Sequence, residues 1–142
     1  MTDQFELHPQ LAKDCVELAE LPLCKLLLCN DSTYPWFILV PRVKDIQDIY
    51  QLDWQDQQQL LNESSMLSEL LMQEFKGDKM NVAALGNVVP QLHFHHIVRF
   101  KEDAAWPKPV WGQLPITPYS DQALKEVKER MQGKISAILS EQ

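Results

Sequence analysis

Two short apolar runs, LCKLLLCN (23–30) and WFILVP (36–41), flank Asn30-Asp31-Ser32-Thr33-Tyr34-Pro35, a stretch of turn-favouring residues, so the segment predicts a β-hairpin. Beyond PRVKDIQDIYQL the spacing changes. Leu60, Ser64, Leu67, Leu71 and Phe75 recur at three- and four-residue steps between Asp53 and Lys76, and Gly77 stands where a helix of that span would end. One stripe on one face suits a long amphipathic helix that covers a sheet. A second helix, from about Ser120 to Leu139, follows the same logic through Leu124, Val127, Met131, Ile135 and Ile138. Gly133 inside it costs ~1 kcal/mol relative to alanine.

Between these helices MNVAALGNVV (80–89) and QLHFHHIVRF (91–100) read as two more strands, parted by Pro90, which has no N–H to give to a ladder. Near the start, His8-Pro9 opens a short helix or turn within residues 5–15, since proline is tolerated at the first helical position. The stretch KEDAAWPKPVWGQLPITPY holds four of the nine prolines and two of the four tryptophans, which predicts an extended, structured loop. Strands interrupted by one long helix and closed by another give an α+β domain with a mainly antiparallel sheet, a single domain over residues 1–142.

Composition narrows the possibilities. With 45% hydrophobic and 23% charged residues in 142, the chain has the make-up of a soluble globular protein with a real core. No segment approaches the ~20 apolar residues that span a bilayer. The opening MTDQFELHPQ lacks a basic and apolar leader pattern, so a cytoplasmic location is expected, without a membrane partner. Cys15, Cys24 and Cys29 are odd in number and form no CxxC pair, which disfavours disulfides and zinc ribbons. A formal charge of −7 provides no broad basic face for duplex DNA or RNA, whereas a small nucleotide needs only a local pocket.

The chemistry gathers in QLHFHHI (91–97). On a strand, Gln91, His93 and His95 project to one face while Leu92, Phe94 and His96 project to the other. Residues i and i+2 lie ~6.6 Å apart along a strand, close enough for both rings to converge on one phosphoryl group. Imidazole titrates at ~6.5 and can serve there as nucleophile, acid or base. The same pattern also suits a polar solvent face with no chemistry, or a metal site, although no HExxH, HxxE or CxxC accompanies it. His96, on the opposite face, reads as a buried histidine satisfied by a partner.

GNVVPQLHFHHIVRF resembles the histidine triad (HIT) motif, His-φ-His-φ-His-φ-φ with φ apolar, and WFILVPR resembles the hairpin strand that precedes it in that family. NVAALGN, PQLHFH and WPKPVWG together resemble a bacterial branch described as HIT-like or diadenosine tetraphosphate hydrolase-like. The resemblance spans about residues 5–115. It implies a five-stranded antiparallel sheet with one long central helix and a C-terminal helix, a homodimer, and a nucleoside phosphate bound against the histidine strand. It implies hydrolase or transferase activity on a dinucleoside polyphosphate or nucleoside phosphoramidate, through a nucleotidyl-histidine; no cofactor or metal is expected. Mapped by position, His93 is the nucleophile, His95 contacts phosphate or leaving group, and Gln91 takes the first triad place. Asn30, with Asp31, is the ribose contact, and Asn81 and Asn87 match polar positions lining the phosphate site.

The chain departs from the pattern in four places. Gln91 hydrogen-bonds but cannot titrate, His96 replaces an apolar residue, Val88 stands where many members have Ser or Thr, and Trp36 stands near where many have a histidine. These differences keep open a second reading, a nucleotide-binding module with weak or no catalysis. Trp106 and Trp111 suit stacking on a purine, packing on a second subunit, or anchoring the loop on its own domain, while Trp36 and Trp54 read as core or helix-start residues. Arg99 and Lys101 follow the histidine strand and read either as positive potential for a phosphate or as solvated charges.

Overall fold

The computed structural model describes residues 4–141. Every residue of the strand Trp36–Pro41 is buried, because it lies in the middle of a sheet that is covered on both faces. The elements run α1 (Pro9–Asp14), β1 (Cys15–Glu20), β2 (Cys24–Cys29), β3 (Trp36–Pro41), α2 (Trp54–Phe75), β4 (Lys79–Ala83), β5 (Phe94–Arg99) and α3 (Asp121–Ser140). The five strands form one sheet in the order β1-β2-β3-β5-β4, and every neighbouring pair is antiparallel. The α+β class, the five-stranded sheet and both long helices agree with expectation.

Alternation along the central strands divides the core in two. Leu26, Leu28, Phe37, Leu39 and Val98 face α2 and α3, where they meet Leu60, Leu67, Leu71, Met131 and Ile135. Leu27, Trp36, Ile38, Val40 and Ile97 face the other way, under α1 and the loop carrying Val110 and Trp111. This second face carries the site. α2 starts where Asp53 accepts a hydrogen bond from the Asp56 N–H at 2.8 Å. Halfway along, the buried Glu63 carboxylate accepts the N–H groups of Leu23 and Cys24 at 2.8 and 2.9 Å, tying the β1–β2 turn to the helix. Gly77 follows the end of α2 as expected, but the left-handed residue there is Lys76, with φ 53°. Gly77 is required for space, since a Cβ at that position would run into the Val98 side chain.

Three boundaries differ from the sequence reading. CVELAE is strand β1 beside β2, whereas the pattern suggested only a helix or turn ending near Cys15. β4 stops at Ala83, and residues 84–93 form a loop containing Gly86 in the left-handed region, φ 70°. β5 begins at Phe94, so Gln91 and His93 precede the strand. The tryptophan-rich segment is a chain of turns organised by Asp103, which accepts the N–H groups of Phe100, Ala105 and Trp106 and pairs with Arg99.

Candidate active site

The register of β3 against β5 assembles the centre. Ile38 lies opposite His95 and Trp36 opposite Ile97, so Trp36 is a diagonal neighbour of His95 on the same face. The Trp36 indole N–H donates to His95 Nδ1 at 3.0 Å. With Nδ1 engaged as an acceptor, neutral His95 carries its proton on Nε2 and offers it as a donor. Burial keeps the ring neutral, helped by the nearby His93 and His96, and pushes its pKa down to about 3. His95 is enclosed by three rings: Trp36 at 5.7 Å, Trp111 at 5.0 Å and His93 at 4.9 Å between centroids.

His93 is arranged in the opposite sense. Its Nδ1 lies 2.6 Å from the Gln91 carbonyl oxygen, a group that only accepts, so Nδ1 carries the proton and the lone pair is on Nε2. The pair therefore combines one ring with a free electron pair and one ring with a free N–H. Both are nearly buried, at 7% exposure each.

Gln91 acts here through its backbone. Its side chain is turned to the N-terminal segment, accepting the His8 N–H at 2.9 Å and donating to the Glu6 carbonyl at 2.8 Å. Its side-chain hydrogen bonds are thus made away from the histidine pair. His96 lies fully buried on the helix face, where its Nδ1–H meets the Phe94 carbonyl at 2.9 Å and its Nε2 accepts from the Ser64 hydroxyl of α2 at 2.7 Å. Burial brings this ring down to about 4, although its bond to Phe94 acts in the other direction. The partner that a buried histidine needs is thus supplied from within the helical stripe.

Two cavities of about 380 Å³ each meet at the histidine pair. The first is lined by Cys15, Cys29, Asn30, Ile38, Ile116 and Pro118, together with Trp36. The second is lined by Leu85, Gly86, Asn87 and Val88 of the loop after β4. His93, His95, Val89 and Trp111 line both and form the partition between them.

Asn30 lines the first cavity, but its Oδ1 already accepts the Tyr119 N–H at 3.0 Å, so the side chain offers its NH₂ to a ligand. Asp31 is buried behind it and accepts the Thr33 and Thr117 N–H groups at 3.1 and 3.4 Å. Together they hold the segment 116–119 as a wall of the cavity. Asn87 lines the second cavity. Asn81 sits farther along β4, opposite Ile97, and accepts from Arg99 Nη1 at 2.8 Å.

Arg99 is 1% exposed, and Asp103 receives its Nε and Nη2 at 2.8 and 3.0 Å. Burial alone would raise the Asp103 carboxyl, yet the hydrogen bonds from Arg99 and the Phe100 N–H outweigh it and bring the group down to about 2. Arg99 is thus a structural cation, and Lys101 is exposed. Trp106 packs against Arg99, with the guanidinium carbon 5.7 Å from its ring centroid. Trp111 packs on its own domain at the partition, and Trp54, the first residue of α2, is exposed. Trp36 is a core residue, as the sequence suggested, and its contact with His95 is the part that the sequence did not reveal. Among the described residues no group of three or more His, Cys, Asp or Glu side chains is placed to hold a metal ion, and no helix is long and apolar enough to cross a membrane.

The HIT domain family model matches residues 10–102. A histidine triad protein from Marinobacter aquaeolei VT8 is 57% identical, with a TM-score of 0.89 over 91% of this chain and 94% of that one. A histidine triad protein from Bradyrhizobium japonicum is 43% identical, with a TM-score of 0.89 over 92% and 98% of the two chains. A third, from Sinorhizobium meliloti 1021, is 35% identical, with a TM-score of 0.88 over 92% and 96%. A comparison with curated proteins gives no match. With a matching family model over most of its length and close likeness to three such structures, the chain belongs to the histidine triad family.

Proposed function

We propose that the protein is a nucleotidyl hydrolase or transferase, acting on a nucleoside phosphate through a nucleotidyl-histidine formed on His93. The observation that carries this reading is the complementary protonation of the two rings, with a lone pair on His93 Nε2 and a proton on His95 Nε2. Family membership supports nucleotide binding, and the first cavity, with the Asn30 amide in its wall, supplies room for the nucleoside.

In this reaction His93 Nε2 attacks the α-phosphorus, and the bond from phosphorus to the leaving atom breaks with its electron pair. The imidazole that has gained phosphorus becomes cationic, and the Gln91 carbonyl 2.6 Å from Nδ1 stabilises that charge through the N–H between them. His95 donates to a phosphoryl oxygen, and its neutrality avoids a second cation beside the first. Water or another acceptor then attacks phosphorus, and the N–P pair returns to His93. The protein works as a homodimer in this reading, which the open outer edge of β4 accommodates; a monomeric sedimentation coefficient for the fully active protein would remove that part.

The test is incubation with diadenosine polyphosphates and adenosine phosphoramidates, with analysis of products. His93→Ala is expected to lower turnover by more than about 10³-fold while AMP binding persists. A wild-type protein that binds AMP and turns over neither substrate class is a binding module, and the catalytic reading then fails.

A further inference from the structure

An odd number of cysteines speaks against a disulfide, and all three thiols are free, yet the sheet brings two of them together. Cys15 opens β1, Cys29 closes β2, and the antiparallel register sets them directly opposite each other. The Asn30 N–H donates to the Asp14 carbonyl at 3.0 Å, while the Cys15 N–H turns back to the Leu11 carbonyl, so Cys15 and Cys29 form a non-hydrogen-bonded pair of the ladder. In such pairs the Cα atoms lie ~4.5 Å apart and the two side chains share one face. A disulfide accepts Cα separations of about 4.4–6.8 Å, so the pair lies at the short end of that range. The two thiols are in contact: hydrogen bonding with Cys15, ahead of burial, pushes the Cys29 thiol up. Both are half-buried in the wall of the first cavity, beside Asn30, whereas Cys24 is fully buried in the helix-side core.

We propose that Cys15 and Cys29 are a reversible redox pair, in which a peroxide closes a cross-strand disulfide in the wall of the first cavity and thereby weakens nucleotide binding there. The regulatory half rests on the reading of that cavity as the nucleoside site. One thiol sulfur attacks the O–O bond of the peroxide to give a sulfenic acid and one water. The facing thiol attacks that sulfur, the S–O bond breaks and the oxygen leaves as a second water, so two electrons and two protons pass from the cysteines to one peroxide. Because the thiolate is the nucleophile and the Cys29 thiol is held protonated, closure is slow and answers to sustained oxidant. Opening the pair from ~4.5 Å toward the common disulfide separation of ~5.5–6 Å displaces backbone by about 1 Å next to the hydrogen bond between Asn30 and Asp14. Asn30 carries the amide that the cavity wall offers to a ligand, so its displacement reaches the nucleotide. A disulfide held at the edge of its preferred geometry is also readily reduced, which makes the closure reversible.

The test takes the full chain, first reduced and then treated with hydrogen peroxide in modest excess, and reads intact mass, a peptide map and AMP binding by calorimetry. Oxidation is expected to link the peptides carrying Cys15 and Cys29 and to raise the Kd for AMP about 3- to 10-fold, within the range that one lost hydrogen bond spans, and dithiothreitol is expected to reverse both. Cys15→Ala and Cys29→Ser each remove one thiol. Whatever AMP affinity these variants start from is expected not to move with peroxide and dithiothreitol, which separates closure of the pair from oxidation of methionine. Absence of a link between Cys15 and Cys29 in the oxidised protein overturns the proposal, as does a link that leaves the Kd for AMP unchanged or lowers it. Failure of the reduced protein to bind AMP overturns the nucleoside-site reading and the regulatory half with it, while the peptide map still decides whether the disulfide forms.

Discussion

Trp36→Phe isolates a single hydrogen bond. The substitution keeps an aromatic ring against His95 and Trp111 but deletes the indole N–H that donates to His95 Nδ1 at 3.0 Å. A buried hydrogen bond of this kind contributes ~0.5–1.5 kcal/mol net. Applied to the tautomer balance of His95, that is a factor of roughly 2 to 13 in favour of the Nε2–H form. Without the donor, the proton is free to move to Nδ1, where it points away from substrate. Since removal of a whole charge-stabilising donor costs ~10²–10³ in kcat, loss of tautomer control is expected to cost less, about 3- to 20-fold, with KM little changed. Trp36→His restores an N–H donor to the position and is expected to recover part of the loss. Nitrogen-resolved NMR of the histidine rings reads the tautomer of His95 directly and does not depend on activity. If Trp36→Phe leaves both the Nε2–H signature and kcat unchanged, the indole is only packing and the reasoning fails.

Two further outcomes concern stability. Unfolded imidazoles titrate near ~6.5, whereas burial holds folded His95 and His96 down to about 3 and about 4. Between those values the unfolded chain binds protons that the folded chain refuses, so the contribution is complete above ~6.5 and is lost as the pH falls towards 4. Urea unfolding is expected to show a loss of about 2–4 kcal/mol between pH ~7.5 and pH ~5, and His96→Gln should flatten the slope; equal stability at both pH values would refute the assignment. Gly133 lies inside α3 with open space where a Cβ would go, so Gly133→Ala is expected to stabilise by ~1 kcal/mol and raise Tm by about 4 °C in a calorimetric scan. An unchanged or lower Tm would show that this turn of α3 is not limited by its glycine.

The hairpin of residues 23–41 was legible as two short apolar runs flanking turn residues, and the two long helices because their apolar positions repeat with helical spacing. β1 was not. One of its six residues is buried, and a register shift between Glu17 and Ala19 breaks its alternation, so pairing with β2 decides its conformation. The histidine pair was legible from i, i+2 spacing, even though His93 precedes the strand. The part of Trp36 was hidden because it depends on how β3 registers against β5, a relation between segments almost 60 positions apart. The period of two of any strand does put Trp36 and Ile38 on one face, and pairing with the histidine strand turns that face into the site. Gln91 misled in a different way: its place in the motif was legible, but the group it turns toward His93 is its carbonyl, which any residue at that position would own.

The partition between the two cavities has a consequence for how substrate preference can change over time. Asn30 and Ile38 touch only one compartment, and Leu85 and Val88 only the other, so on the proposed nucleotidyl-transfer reading substitutions there retune one half of a substrate and leave the other half alone. Val89 and Trp111 belong to both. A change at either couples nucleoside choice to leaving-group choice, and its effects on the two halves will not sum as independent contributions. Diversification of this protein is therefore easiest at the outer walls and most constrained at the shared ones, where every adjustment for one end of a substrate is also an adjustment for the other.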